Sequence, residues 1–487
     1  IEGSRDRGGG SGGSTPEAPG GLLGGGRLGY GSAAMGRLAC RSLLLSLLVA
    51  APVQAQEPVD RHGVVIDVPL VDLPFNARGG LAWPGMPQSL ALSGDFYQLL
   101  HFGLGQAIDP YEGPWWQRLA GRALIGAGDL LVTNLPPGLT WQHEEGHRAV
   151  LSKERISSFN GVYRFRPFAG VVAVSEVKDE DLRAFKARDP GGFVRLATAG
   201  LEMELELVSS LEKTQLFYRT RAWHGVLFFQ AYLTNTLYLA TCASDQDDRI
   251  SEEERREGVD VGARDFTGLD CNAWVYDLFR PGEPYDARGV HPSGVGVRRY
   301  RKRSDLTAEE RGYQKQQLYL SLLNFLDPAL LGLDWFSAEV GERRQPLRLN
   351  GRVRHMAAPF GQTVNLEGYG QFRDYNVALG LQGGFNRDQF FPGLSAELHR
   401  FPLDLVIGKP LTVSARASLW LQPGEQRFRD ASYRPGALGS LRLAYSFATS
   451  FEPYLEVEGK SAGWVPGNVW LDANVSARAG LVSALFD

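Results

Sequence analysis

Apolar positions repeat with two different periods along this chain, and the change falls near residue 346. Between residues 80 and 341 they gather in runs of helical length, at 89–104, 193–211, 223–240 and 314–333, with charged loops between them. Runs of that length predict a mainly helical region. Two of them are oily enough to raise the question of a membrane span. Gln230, Thr234, Asn235 and Thr236 interrupt the first, and Asn324, Asp327 and Pro328 the second, so buried helices are expected instead.

Beyond residue 346 the period drops to two. Leu347, Leu349 and Val353 alternate with Arg348, Asn350, Arg352 and Arg354, and Val364 and Leu366 with Asn365 and Glu367. Leu411, Val413, Ala415 and Leu419 alternate in the same way with Thr412, Ser414, Arg416 and Ser418. Further strands are expected at 376–383, 394–400, 440–447, 454–460 and 469–485, which makes about eight antiparallel strands joined by Gly, Pro, Asp and Asn turns. The polar faces carry Arg416, Glu367, Arg442, Glu456 and Glu458. Charges of both signs can pair inside a narrow barrel while the oily face meets lipid, so an outer-membrane-type β-barrel is expected, with a soluble sandwich as the other solution.

The fold class expected is therefore α+β and multidomain: residues 56–345 a mainly helical domain, residues 346–487 an antiparallel β-barrel. Upstream, residues 1–34 are rich in Gly and Ser without apolar periodicity, and read as disordered or as a mis-assigned gene start. Residues 35–55 follow the plan of an export signal, with Met35, Arg37 and Arg41, an apolar run from Leu43 to Ala51, and a small-residue cleavage site at Val53-Gln54-Ala55. Export to a bacterial-type outer membrane, with the helical domain in the periplasm, is the localisation these segments imply.

Length and charge narrow the partners. A chain of 487 residues can bury a sizeable core, and a formal net charge of -4 gives no reason to expect nucleic acid. Outer-membrane lipid is the expected neighbour of the barrel. Only Cys242 and Cys271 remain after the signal, and after export they either pair across a polar, acidic loop or stay as two buried thiols.

The chemistry concentrates in His143-Glu144-Glu145-Gly146-His147, an H-E-x-x-H pentad. Two histidines four residues apart on a helix lie one above the other, and can hold one zinc ion while Glu144 faces the metal-activated water as general base. Pro136-Pro137-Gly138 breaks the chain upstream, Thr140 is a candidate N-cap, and Ala149, Val150 and Leu151 continue the helix. Gly146 weakens that helix, so a side chain there would crowd the metal or a neighbouring segment.

This spelling resembles the zinc metallopeptidases, and the resemblance implies a zincin-like fold for the helical domain and its role as the catalytic one. The extended H-E-x-x-H-x-x-G-x-x-H form is absent, since Val150 and Lys153 stand at the glycine and third-histidine positions. The resemblance is to the gluzincin arrangement, which implies a glutamate on a second helix as third ligand and an acid one turn later supporting a histidine. In this sequence those would be Glu202 and Glu206, with Glu206 as the alternative ligand and Glu204, on another face, set aside. Zn2+ held by His143, His147 and Glu202, with a peptide or protein as substrate, is the reading that follows. A non-catalytic outer-membrane channel or assembly protein carrying an incidental pentad is the alternative.

Two other segments stand out. Residues 243–254 imitate a calcium loop, but Ala243 and Asp248 occupy positions that need a ligand and a glycine, so a solvated acidic loop is expected. The polar, aromatic connection 264–294 has the character of a binding loop, and Tyr218, His224 and His291 are candidates to stabilise an oxyanion.

Overall fold

The computed structural model describes residues 64–108, 113–164, 172–218, 224–341, 344–373, 375–403, 411–446 and 451–485. All of them lie in one compact unit, Ala55–Asp487. The tract 1–34 and the expected export signal at 35–55 fall outside the described residues.

The chain is α+β. It opens with β1 (Val64–Asn76) and β2 (Gly80–Leu81), then runs through α1 (Met86–Ile108), α2 (Trp115–Val132) and α3 (Leu139–Lys153). A short pair, β3 (Phe159–Asn160) and β4 (Val174–Ser175), precedes α4 (Asp179–Arg188), α5 (Pro190–Tyr218), α6 (Gly225–Ala243), α7 (Asp247–Arg256), α8 (Asp270–Phe279) and α9 (Ala308–Ser321). Nine strands follow: β5 (Phe336–Val340), β6 (Gln345–Ala358), β7 (Gly361–Phe372), β8 (Tyr375–Phe385), β9 (Phe390–Leu403), β10 (Leu411–Gln422), β11 (Arg434–Tyr445), β12 (Phe451–Lys460) and β13 (Asn474–Leu485).

The four oily runs fall on α1, α5, α6 and α9; α5 extends seven residues past the end of its run, and α9 ends twelve residues before the end of its own. In the last run the α-helix ends at Ser321 and gives way to a 3-10 turn over Leu322–Leu326, which stops where Asp327 and Pro328 interrupt the run. The Asp327 carboxylate accepts the backbone N–H of Ala329 and Pro328 starts a new 3-10 turn, because proline cannot continue the helix before it. Among the described residues no helix is long and apolar enough to cross a membrane.

The sheet departs from expectation in three ways. It holds eleven strands among the described residues, in the order β2-β1-β13-β12-β11-β10-β9-β8-β7-β6-β5, and β2 and β5 are open edges rather than the seam of a closed eight-stranded barrel. Its first strand comes from the other end of the chain, since β1 pairs antiparallel with β13 from Val64↔Leu485 to Phe75↔Val475. No boundary at 345/346 separates helices from strands, since β5 lies before it and β6 runs across it. Pro69 and Pro74 disguise β1 in the sequence. They are tolerated because β2 covers only Phe75 and Asn76, so the rest of that side of β1 has no ladder to lose.

The polar side of the sheet is occupied by a helix, which bears on the number of strands. Helix α5, 29 residues and about 43 Å long, lies against the polar face. Lys213 reaches Glu397 at 2.7 Å and Arg354 reaches Glu206 at 2.6 Å, while Arg352 pairs with Glu212. An eight-stranded barrel has room only for side chains, whereas a helix with its side chains is about 10–12 Å across, so a sheet wrapped around one needs more strands. The remaining inward charges pair among themselves, Arg442 with Glu456 at 2.8 Å and Arg478 with Glu456 at 2.6 Å.

The alternate residues face outward. Leu366, Leu379, Leu394, Leu419, Leu441 and Val475 are exposed, and Leu455 reaches 68%. Helical segments meet the two edges: α1 packs beside β1, and Asn324 joins His355 of β6 by two hydrogen bonds.

Candidate metal centre

Helix α3 carries the pentad and is held against α5 at close range. A side chain on Gly146 would sit 2.6 Å from the carbonyl oxygen of Ala199, and one on Gly200 would sit 2.4 Å from Nε2 of His143. Glycine at these two positions lets the backbones approach and leaves room for the imidazole. Gly146 therefore makes way for a neighbouring segment, one of the two reasons expected for it. Thr140 is not the N-cap: the helix starts at Leu139, and Thr140 Oγ1 donates to Asn134 at 2.7 Å. Glu145 points away from the site, bonded to Arg148 at 2.6 Å and to Asn160 at 2.8 Å.

Both histidines converge on a third side chain, Asp270 at the start of α8. Nε2 of His143 lies 3.1 Å and Nε2 of His147 lies 3.3 Å from Asp270 Oδ2, and one ligand atom from each of the three residues lies within 4.8 Å of the others. The opposite ring nitrogens are oriented by acceptors. His147 Nδ1 donates to the carbonyl of Leu196 at 2.6 Å, and His143 Nδ1 lies 2.8 Å from Glu204 Oε1. A carbonyl only accepts, so Nδ1 of His147 carries a hydrogen and its Nε2 is the nitrogen that faces Asp270. An imidazole nitrogen this close to a carboxylate oxygen needs a proton or a cation between them. Two imidazole nitrogens and one carboxylate oxygen, each ring held from behind, are a donor set that could hold a metal ion.

No family model, curated protein or solved structure matches the chain.

The group lines a cavity of about 370 Å³ that also takes in Glu144, Thr140, Thr234, Tyr238 and Tyr300. Burial disfavours a charged His143 ring, but the carboxylates of Asp270 and Glu204 outweigh it and hold its pKa well above the ordinary histidine range. Asp270 is driven the other way: burial opposes its ionisation, and His147 and His143 overcome it and keep it anionic. Burial pushes Glu144 up to about 8 against the opposing pull of His143. A carboxylate with that affinity for protons is a stronger base than an exposed one.

Glu202 and Glu206 do share a helix face, but that face turns toward the sheet. Glu202 is fully buried and engaged, its Oε1 accepting from Arg195 at 2.6 Å and from the Gly467 N–H at 2.9 Å, its Oε2 from the Trp464 indole at 2.9 Å. Glu206 pairs with Arg354. Neither joins the histidines, and Glu204, on the other side of α5, takes the supporting position behind His143. Asp270 stands 127 residues from His143, in the connection singled out for its polar and aromatic content. Its neighbour Cys271 is disulfide-bonded to Cys242, and that pairing is the one sequence feature that ties the connection to the helical core.

The remaining candidates lie elsewhere. His224 sits with its Nδ1 2.6 Å from Nδ1 of His101, whose Nε2 reaches Asp129 at 2.5 Å, all three completely buried. His291 bonds Ser293 and the carbonyl of Glu254, and fixes the end of α7 rather than lining the cavity. Tyr218 faces the sheet near Arg400. Most of the acidic segment 243–254 is the helix α7.

Proposed function

We propose that the chain is a zinc-dependent hydrolase acting on peptides, seated at an outer membrane through its sheet. The observation that carries this reading is the convergence of His143 and His147 on Asp270 beside Glu144 in one cavity. His143, His147 and Asp270 would hold the ion, with Asp270 in the place the gluzincin resemblance gave to Glu202. Zinc at such a centre acts as a Lewis acid on a carbonyl and makes water more acidic. Glu144 then takes the proton from the attacking water and delivers it to the leaving amine. Glu204 and the Leu196 carbonyl keep the two imidazoles in the tautomer that presents Nε2.

The membrane half of the reading rests on the outward Leu and Val side chains of β7 to β13. Monomeric soluble proteins rarely leave continuous apolar surfaces of that extent in water. Lipid against that face and paired charges on the other is the arrangement of an outer-membrane sheet, although here helices rather than a closed ladder must guard the edges.

One fractionation tests both halves. Peptide hydrolysis is expected to sediment with outer membranes, to need detergent for release, to be abolished by a chelator and to return with added zinc. Activity that survives exhaustive chelation contradicts the metal assignment, and full release by buffer alone contradicts the lipid-facing sheet.

A further inference from the structure

Asp270 is the only member of the metal group that does not come from α3, and α6 grips it at two adjoining points. Tyr238 Oη accepts the backbone N–H of Asp270 at 2.9 Å and lies 3.2 Å from its Oδ2, close enough to donate back to the carboxylate. One turn along the same face, Cys242 is disulfide-bonded to Cys271, the next residue after Asp270. On the preceding side the chain is a turn folded on itself, with the Asp265 carboxylate accepting the N–H groups of Thr267 and Gly268. Within that turn Phe266 packs on the His147 ring of α3 at 5.0 Å and donates its N–H to the Val174 carbonyl, which anchors the connection as a whole. The α6 contacts act on Asp270 itself and on the residue that follows it.

Resting on the metal reading above, we propose that Tyr238 and the Cys242–Cys271 disulfide are positioning residues for the third ligand, so that zinc affinity depends on both. The hydroxyl orients the carboxylate, and the disulfide fixes the backbone that carries it. Partners of a ligand that act in this way typically change metal affinity by about 10–100-fold when removed.

The test measures zinc affinity of the purified full chain by competition with a chromophoric chelator, alongside the absorption spectrum of the cobalt-substituted protein. Tyr238→Phe keeps the ring and removes the hydroxyl; Cys242→Ala with Cys271→Ala removes the bridge without leaving thiols to bind zinc. Each is expected to weaken zinc by at least about tenfold and to alter the cobalt spectrum, which reports ligand geometry and which a loss of stability alone does not move. If the double variant does not fold, Tyr238→Phe alone decides. Wild-type affinity and spectrum in Tyr238→Phe overturn the clamp and leave the metal centre standing. A wild-type chain that takes up no zinc overturns the metal reading and the clamp with it.

Discussion

Glu144→Gln is expected to keep its zinc and its fold while losing at least about a hundredfold in kcat, the lower end of what a positioned general base supplies. Glutamine preserves shape and hydrogen bonding but accepts no proton. Glu144 is not among the three residues whose ligand atoms cluster, so metal content should not follow activity. The pH profile carries a second signature. Burial raises the Glu144 pKa to about 8, so the group is protonated below that value and available as a base above it. A cation at His143, His147 and Asp270 pulls it back toward the ordinary carboxylate range. The acid limb of kcat/KM should therefore rise with pH somewhere between that range and about 8. Zinc retention should fall on acidification, as protons compete for His143. Turnover by Glu144→Gln close to that of the parent chain would remove Glu144 from the mechanism.

The second large effect is on stability. Glu202→Ala is expected to lower unfolding stability by about 3–5 kcal/mol, because it leaves the Arg195 guanidinium buried without its carboxylate. Both side chains are fully inaccessible, and the lost carboxylate also accepts from Trp464 and Gly467, which tie α5 to the loop before β13. Urea titration measures the loss. The fraction that remains folded should still bind zinc, since Glu202 stands outside the metal group. A variant with parental stability but no zinc would restore Glu202 as the ligand.

How much of this was legible in the sequence follows from what each pattern encodes. Period-two alternation placed β6 to β13 and separated their faces, because an element that buries one side must write that side into every second residue. The outward Leu366, Leu419 and Leu455 and the inward Arg416, Glu456 and Glu458 fell as the alternation had them. The same pattern did not reveal β1, whose Pro69 and Pro74 read as breaks, nor that the polar face would wrap a helix instead of closing on itself. The pentad fixed His143 and His147 on one helical face because that spacing is local. Helical phase also showed that Glu202 and Glu206 share a face, but phase is silent about which neighbour the face meets, and here it meets Trp464 and Arg354. Asp270 depends on tertiary folding across more than a hundred residues, and the local hints were its place beside Cys271 and within the polar, aromatic connection 264–294.

Zinc content tests the central claim most directly. The purified wild-type chain and Asp270→Ala would be dialysed against the same low zinc concentration, then weighed for metal per chain by elemental analysis. The account predicts about one zinc per wild-type chain, as expected for a single three-ligand centre, and a large loss in Asp270→Ala with the fold retained. Absence of stoichiometric zinc from the wild-type chain, or equal zinc in both proteins, would contradict it.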